Sequence, residues 1–274
     1  MANIIKGRLE VASLLVLTLA GCDQAKASAQ SSPSIPVTAA ASAPGDVGKA
    51  RLFLAAVDRS DSVPQVDRTE RWPAELAKEL RAFLPGHAIQ YFAVGENTES
   101  APPFFEAATA ATDSSLPLRK RLEAHHESKS VSVQARQAFE VALREDIQAR
   151  RTDLLGAVAR AVRVRSSLRS DQELAFLIFS DMLNVSNELH MERQVILPKT
   201  APALAKKWVK ARGFGNTALK GVRVRCHLTS SAPSSTWSPE RRAGVESFWR
   251  SLFSELGAEL EHFDNSSLSL GSKP

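Results

Sequence analysis

Short apolar runs alternate along the chain with segments whose apolar residues recur every three or four positions. Nearly continuous apolar runs are typical of strands buried on both faces of a parallel sheet. They predict strands over residues 52–57, 89–95 and 174–180, with a further strand over 221–229. Helical spacing predicts helices that begin near Pro73 and after Thr152, and others over 118–149, 201–212 and 239–259. Strands that alternate with helices predict an α/β fold with a doubly wound, mostly parallel sheet flanked by helices.

The first 21 residues have the zones of a signal peptide. Lys6 and Arg8 precede an apolar run over residues 11–21 that is too short to span a bilayer. The run ends in small residues directly before Cys22, and this ending resembles the lipobox of bacterial lipoproteins. The resemblance implies cleavage after residue 21 and acylation of Cys22, which would anchor the protein to a membrane. The alternative is an ordinary signal peptide that contains a cysteine.

Composition divides the rest of the chain into three parts. Residues 22–48 are mostly Ala, Ser and Pro, have no aromatic residue, and are expected to form a flexible tether. Residues 49–263 carry the alternating elements and are expected to form one domain, followed by a tail over 264–274. A lipid anchor implies the bacterial cell envelope on the periplasmic side, and Asp23 resembles an inner-membrane retention signal, which slightly favours that membrane.

The overall composition is that of a soluble globular protein. Of 274 residues, 43% are hydrophobic and 24% are charged. The net charge is +5, from 35 basic and 30 acidic residues. Without a clustered basic face, this surplus is too small to predict nucleic acid as a partner. There are two cysteines, so a disulfide framework is excluded, and Cys226 lies in an apolar alternation that predicts a buried thiol.

Polar residues follow two of the predicted buried strands at the places where ligands bind in such folds. The first strand runs into the sequence Asp58-Arg59-Ser60-Asp61-Ser62, and the strand over 174–180 runs into Asp181. Thr152 stands at the start of a predicted helix between them. Carboxylate and hydroxyl oxygens from these loops could surround one hard cation such as Mg²⁺ or Mn²⁺.

This pattern resembles the von Willebrand factor A domain and its metal-ion-dependent adhesion site, over roughly residues 50–260. The resemblance implies that Ser60 and Ser62 bind the metal through their hydroxyls. It implies that Asp58, Asp181 and Thr152 bind directly or through water. A carboxylate from a protein partner would take the open position, so the resemblance implies a binding module and not an enzyme.

The sequence departs from the family at two places, and other interpretations remain open. Met182 follows Asp181 where the family usually has glycine, and no antiparallel edge strand is evident before Thr152. Asp58 and the serines could form only a turn, and Thr152 could be an ordinary helix cap. Two other functions stay open: a metal-dependent hydrolase or phosphatase of similar topology, and a metal-free scaffold lipoprotein.

Overall fold

The computed structural model describes residues 49–145, 151–230 and 237–264. The strands in these residues are β1 (Arg51–Asp58), β2 (Ala88–Val94), β3 (Phe105–Ala108), β4 (Glu173–Ser180), β5 (Arg223–Leu228) and β6 (Glu259–Asp264). The helices are α1 (Trp72–Glu79), α2 (Leu118–Arg144), α3 (Leu154–Ser167), α4 (Ala201–Ala211) and α5 (Pro239–Glu255). The predicted leader, tether and lipidation site at Cys22 lie outside the described residues, as does the predicted tail beyond Asp264.

The described strands form one sheet in the order β3-β2-β1-β4-β5-β6. All neighbours pair in parallel except β2 and β3, which are antiparallel. The chain moves outward from β1 to one edge, returns to the centre at β4, and then moves outward to the other edge. The strand order therefore reverses between β1 and β4, which confirms the predicted doubly wound α/β fold.

The two central strands are buried on both faces of the sheet. On β1, Leu54 and Ala56 pack into a core with α3, α4 and α5. Phe53, Ala55 and Val57 point to the opposite face and pack against α1 and α2. Because side chains of a strand alternate between faces, burial on both sides leaves a continuous apolar run in the sequence. The strand predictions for β1 and β4 are confirmed for this reason.

The two edge strands were not predicted. The helix predicted over 239–259 ends at Glu255, because Gly257 turns the chain with a φ of 77° and β6 then pairs with β5. At the other edge, β3 is an antiparallel strand of four residues, placed before α3 in the chain. The edge strand that the family resemblance implies before Thr152 is thus present. The helix predicted over 118–149 ends at Arg144, and residues 146–150 lie outside the described ranges.

Two further observations concern the thiol of Cys226 and the search for membrane-spanning helices. Cys226 lies on β5 and is fully buried in the core with α3–α5, and this burial raises the pKa of its thiol. It is therefore a core thiol, as predicted, and a poor nucleophile. Among the helices described, none combines the length and the apolarity that a membrane span requires.

Candidate metal site

The predicted site residues lie at the carboxyl ends of the two central strands. Asp58 is the last residue of β1, and Asp181 directly follows the last residue of β4. The strands pair in parallel with Val57 opposite Phe179, so their two loops leave the sheet side by side. This is the point where the strand order reverses, which is where folds of this kind bind ligands.

The loop after β1 is shaped by Asp58. Its Oδ1 accepts a hydrogen bond of 2.9 Å from the backbone N–H of Ser60, which closes a tight side-chain turn. The turn brings the Oγ atoms of Ser60 and Ser62 to 2.8 Å from each other. From the other side, the guanidinium of Arg68 donates to the carbonyl of Ser60. The loop is thus held in a form that brings the two serine hydroxyls together.

Two hydrogen bonds join this loop to the loop after β4. The hydroxyl of Ser62 donates to Asp181 Oδ2 at 2.9 Å, and the hydroxyl of Ser180 donates to Asp58 Oδ2 at 2.8 Å. Asp58, Ser60, Ser62 and Asp181 therefore lie in one hydrogen-bonded cluster. Ser180 was missed by the sequence analysis, although a hydroxyl at the last position of a buried strand, directly before a predicted ligand, is a usable signal.

Met182 adopts a left-handed backbone conformation, which glycine adopts more readily. Its φ is 61°, in the left-handed region, which costs a non-glycine residue about 1–2 kcal/mol. The side chain of Met182 is buried, its N–H donates to Ser180 Oγ, and its carbonyl accepts a 2.8 Å hydrogen bond from the indole of Trp249 on α5. These contacts offset the strain, so the loop keeps the glycine-like turn without glycine.

Thr152 pairs through its backbone with Val185, four residues after Asp181. Its N–H donates to the carbonyl of Val185 at 3.2 Å, and its carbonyl accepts from the N–H of Val185 at 2.8 Å. The helix cap that Thr152 could have provided is instead Asp153, whose side chain accepts from the N–H of Gly156 at 2.9 Å. Thr152 therefore lies beside the loop that carries Asp181, and the residue that caps α3 is Asp153.

The two carboxylates have raised pKa values. Burial raises the pKa of Asp58, despite hydrogen bonds from Ser60 and Ser180 and the charge of Arg68. Burial, and then the repulsion of Asp58, raise the pKa of Asp181 to about 7. Asp58 is 0% exposed and Asp181 is 8% exposed. Burial disfavours the ionised form of each carboxylate, and the repulsion between the two carboxylates disfavours it further.

The donor set suits a hard divalent cation. It consists of carboxylate and hydroxyl oxygens, and within the described ranges neither Asp58 nor Asp181 forms an ion pair with a basic side chain. The described residues contain no cluster of three or more His, Cys, Asp or Glu side chains that could hold a metal. A cation here would therefore depend on serine and threonine hydroxyls in addition to the two carboxylates.

Comparisons with known proteins give distant likenesses. The sequence matches no protein-family model and has no significant match among curated proteins. Among solved structures it is similar to a von Willebrand factor type A protein from Catenulispora acidiphila, with a TM-score of 0.42 and 15% identity over 81% of this chain and 40% of that one. It is similar to manganese-loaded TRAP protein from Plasmodium vivax, with a TM-score of 0.40 and 12% identity over 80% of this chain and 70% of that one.

A third similar structure is a D319A mutant of the PilB minor pilin from Streptococcus sanguinis. The TM-score is 0.44 and the identity is 11%, over 80% of this chain and 58% of that one. This chain thus spans less than two thirds of the length of the Catenulispora and Streptococcus proteins. Likenesses this distant transfer neither residue roles nor function, so the site must be judged by its own geometry.

Proposed function

We propose that the protein is a metal-dependent binding module in which Asp58, Ser60, Ser62, Thr152 and Asp181 hold Mg²⁺ or Mn²⁺. The observation that carries the proposal is the convergence of two buried carboxylates and two serine hydroxyls at the carboxyl edge of the sheet, without an ion-pair partner among the described residues. Burying such charge uncompensated is costly, and a divalent cation would compensate it. A bound ion would also offer a coordination position to an outside ligand.

The proposed ligand at that position is an acidic side chain of a protein partner, as in the von Willebrand factor A family. Ser62 is half-buried and Asp61 is exposed, so the cluster opens to solvent on this side. Arg151 is exposed directly before Thr152, where its guanidinium donates to Asn187 at 2.8 Å. The positive charge of Arg151 at the rim of the site favours the approach of an acidic group.

Thermal unfolding of the full-length chain tests the metal site. We expect Mg²⁺ or Mn²⁺ to raise the unfolding temperature relative to EDTA, because an ion that binds only the folded state stabilises it, by about 2.7 kcal/mol at 100 times Kd. Asp58→Ala should remove this response. Asp61→Asn is the matched control, since it removes one negative charge from the same loop at an exposed position outside the cluster.

The outcomes separate the three functions. A wild-type chain whose stability does not respond to either ion would support a metal-free scaffold. Mg²⁺-dependent hydrolysis of a phosphoester that disappears in Asp58→Ala would support a hydrolase. Capture of a protein partner in Mg²⁺, lost in EDTA and in Asp58→Ala but retained in Asp61→Asn, is the result expected of a binding module.

The proposal includes a lipid anchor at Cys22 in a bacterial envelope, with the domain on the periplasmic side and the inner membrane slightly favoured. It is supported by the order of basic, apolar and small residues before Cys22. Cys22→Ser should release the protein from the membrane fraction, and mass spectrometry of the mature N-terminal peptide should show the acyl group. A wild-type protein found in the soluble fraction would contradict the anchor.

A further inference from the structure

A buried amide joins the loop after β4 to the first turn of α3. Asn184 lies three residues after Asp181 and is 0% exposed. Its Oδ1 accepts a 2.9 Å hydrogen bond from the N–H of Leu155, in the first turn of α3. Its Nδ2 donates to the carbonyl of Leu189 and to Ser186 Oγ. Both polar atoms of the side chain are satisfied, so the amide is fixed in one orientation.

This amide acts on the position of Thr152. Leu155, which Asn184 binds, is three residues after Thr152, and Val185, the neighbour of Asn184, exchanges two backbone hydrogen bonds with Thr152. The segments 152–155 and 184–185 are therefore held together at both ends. Because segment 184–185 continues the loop of Asp181, the separation between Thr152 and Asp181 is set by these contacts.

The chemistry of the amide explains why asparagine stands here. The bridge needs an acceptor for a helix N–H on one side and a donor for a loop carbonyl on the other. A carboxylate has no donor when ionised, and a serine hydroxyl is too short to reach both groups. The helix does not depend on Asn184 for its own cap, because Asp153 already caps it at Gly156.

We propose that Asn184 is a positioning residue of the metal site, which acts through Thr152 by holding its side chain within reach of an ion bound by Asp58 and Asp181. The inference rests on the proposed function. It adds a residue that is not itself a metal ligand but on which the affinity for the metal depends. Its effect on affinity should be absent when Thr152 cannot act as a ligand.

A double-mutant cycle tests this coupling. The affinity of the full-length chain for Mn²⁺ is measured by calorimetry for wild type, Thr152→Ala, Asn184→Ala and the double variant. Removing residues that orient metal ligands typically weakens binding 10–100-fold, and we expect Asn184→Ala to weaken it about as much as Thr152→Ala. The double variant should bind no more weakly than either single variant. Losses that multiply in the double variant would overturn the inference.

Two further variants separate positioning from general stability. Thr109→Ala removes a buried hydroxyl that ties two segments at the opposite edge of the sheet, where it accepts from Gly86 at 3.0 Å and donates to His87 at 3.1 Å. It should lower the unfolding temperature and leave Mn²⁺ affinity unchanged. If Asn184→Ala does not fold, Asn184→Ser retains a small polar group and takes its place in the cycle.

The failures are distinguishable. If the wild-type chain binds no Mn²⁺, the proposed function falls and this inference falls with it. If the wild-type chain binds Mn²⁺ and Asn184→Ala binds it equally tightly, only the inference falls. If Thr109→Ala weakens Mn²⁺ binding as much as Asn184→Ala does, the effect is one of stability and the positioning role is wrong.

Discussion

Two groups of acids in this domain, one half-buried and one buried, are in opposite electrostatic environments. Glu79 on α1 lies 2.6 Å from Arg225 and 3.4 Å from the Nε2 of His227. Burial opposes its ionisation, but these neighbours lower the pKa of Glu79. At the candidate site, Asp58 and Asp181 face serine hydroxyls and each other, and burial raises both of their pKa values. The acid with basic groups in contact has a lowered pKa, and the two more deeply buried acids without such contacts have raised pKa values.

Glu79 belongs to a larger set of charges that balance within themselves. We call this set the charged ladder, and it runs across one face of β1, β4, β5 and β6. Its members are Glu79, Glu173 and Glu261 with Arg51, Arg223 and Arg225. Three acids meet three bases, so the ladder needs no added ion. The candidate site has two acids and no ion-pair partner among the described residues, so its negative charge is balanced only by protonation or by an added cation.

The largest expected effect is on the ladder. Glu79→Ala should destabilise the protein by about 2 kcal/mol, because it removes the acidic partner of the buried His227 and one of the two acidic partners of Arg225. The change is measured as a lower urea midpoint. Glu75→Ala is the control on the same helix, because its ion pair with Lys78 is exposed and should contribute less than about 0.5 kcal/mol. Equal effects of the two variants would contradict the comparison.

Neutralising an acid at the site should have the opposite sign. Without metal at pH 8, Asp181→Asn should stabilise the protein by on the order of 1 kcal/mol, because it removes a buried charge and its repulsion of Asp58. The same variant should lose its response to Mg²⁺. A urea midpoint below that of the metal-free wild type would mean that the carboxylate of Asp181 is already compensated within the fold.

The stability of the metal-free protein should depend on pH through the same residue. The pKa of Asp181 is about 7 in the folded protein, against the ordinary value of 3.8 that applies to the unfolded chain. The folded state therefore binds the proton more tightly than the unfolded state. This contribution is complete below about pH 4 and is lost as the pH rises towards 7. The unfolding temperature of wild type should therefore fall relative to Asp181→Asn between about pH 4 and pH 7. Parallel curves for the two proteins would show that Asp181 titrates normally.

The smallest expected effect is at Arg223. Its contacts with Glu173 and Glu261 are both 3.7 Å long, and its side chain is 33% exposed. Arg223→Gln should change the free energy of unfolding by less than about 0.5 kcal/mol, because ion pairs near solvent contribute little. A loss as large as that of Glu79→Ala would show that the ladder acts as one unit and not as separate pairs.

The central strands could be predicted from the sequence, and the edge strands could not. Burial on both faces gives β1 and β4 continuous apolar runs that no surface segment imitates. In β6, Leu260 and Phe263 stand among acidic and polar residues, so the strand resembles the end of the amphipathic helix before it. The four residues of β3 are too few for a period to appear. Edge strands are specified by their neighbours in space more than by their own pattern.

The candidate site divides in the same way. Asp58, Ser60 and Ser62 could be found because they follow a buried strand within one loop, and Asp181 because it ends another. Ser180 was missed because its partner Asp58 is 122 residues away in the chain. The hydrogen bond between Asn184 and Leu155 was missed for the same reason, since Leu155 is 29 residues away. Side chains that hold a site together take their meaning from segments that the sequence does not place side by side.

The direction of β1 separates the entrance of the chain from the candidate site. The chain enters the sheet at Arg51, and Asp58 lies at the far end of the same eight-residue strand, about 23 Å away at the usual rise of a strand. The chain therefore joins the domain at the edge of the sheet opposite to Asp58. A partner could approach the carboxyl edge of the sheet without passing the point of attachment.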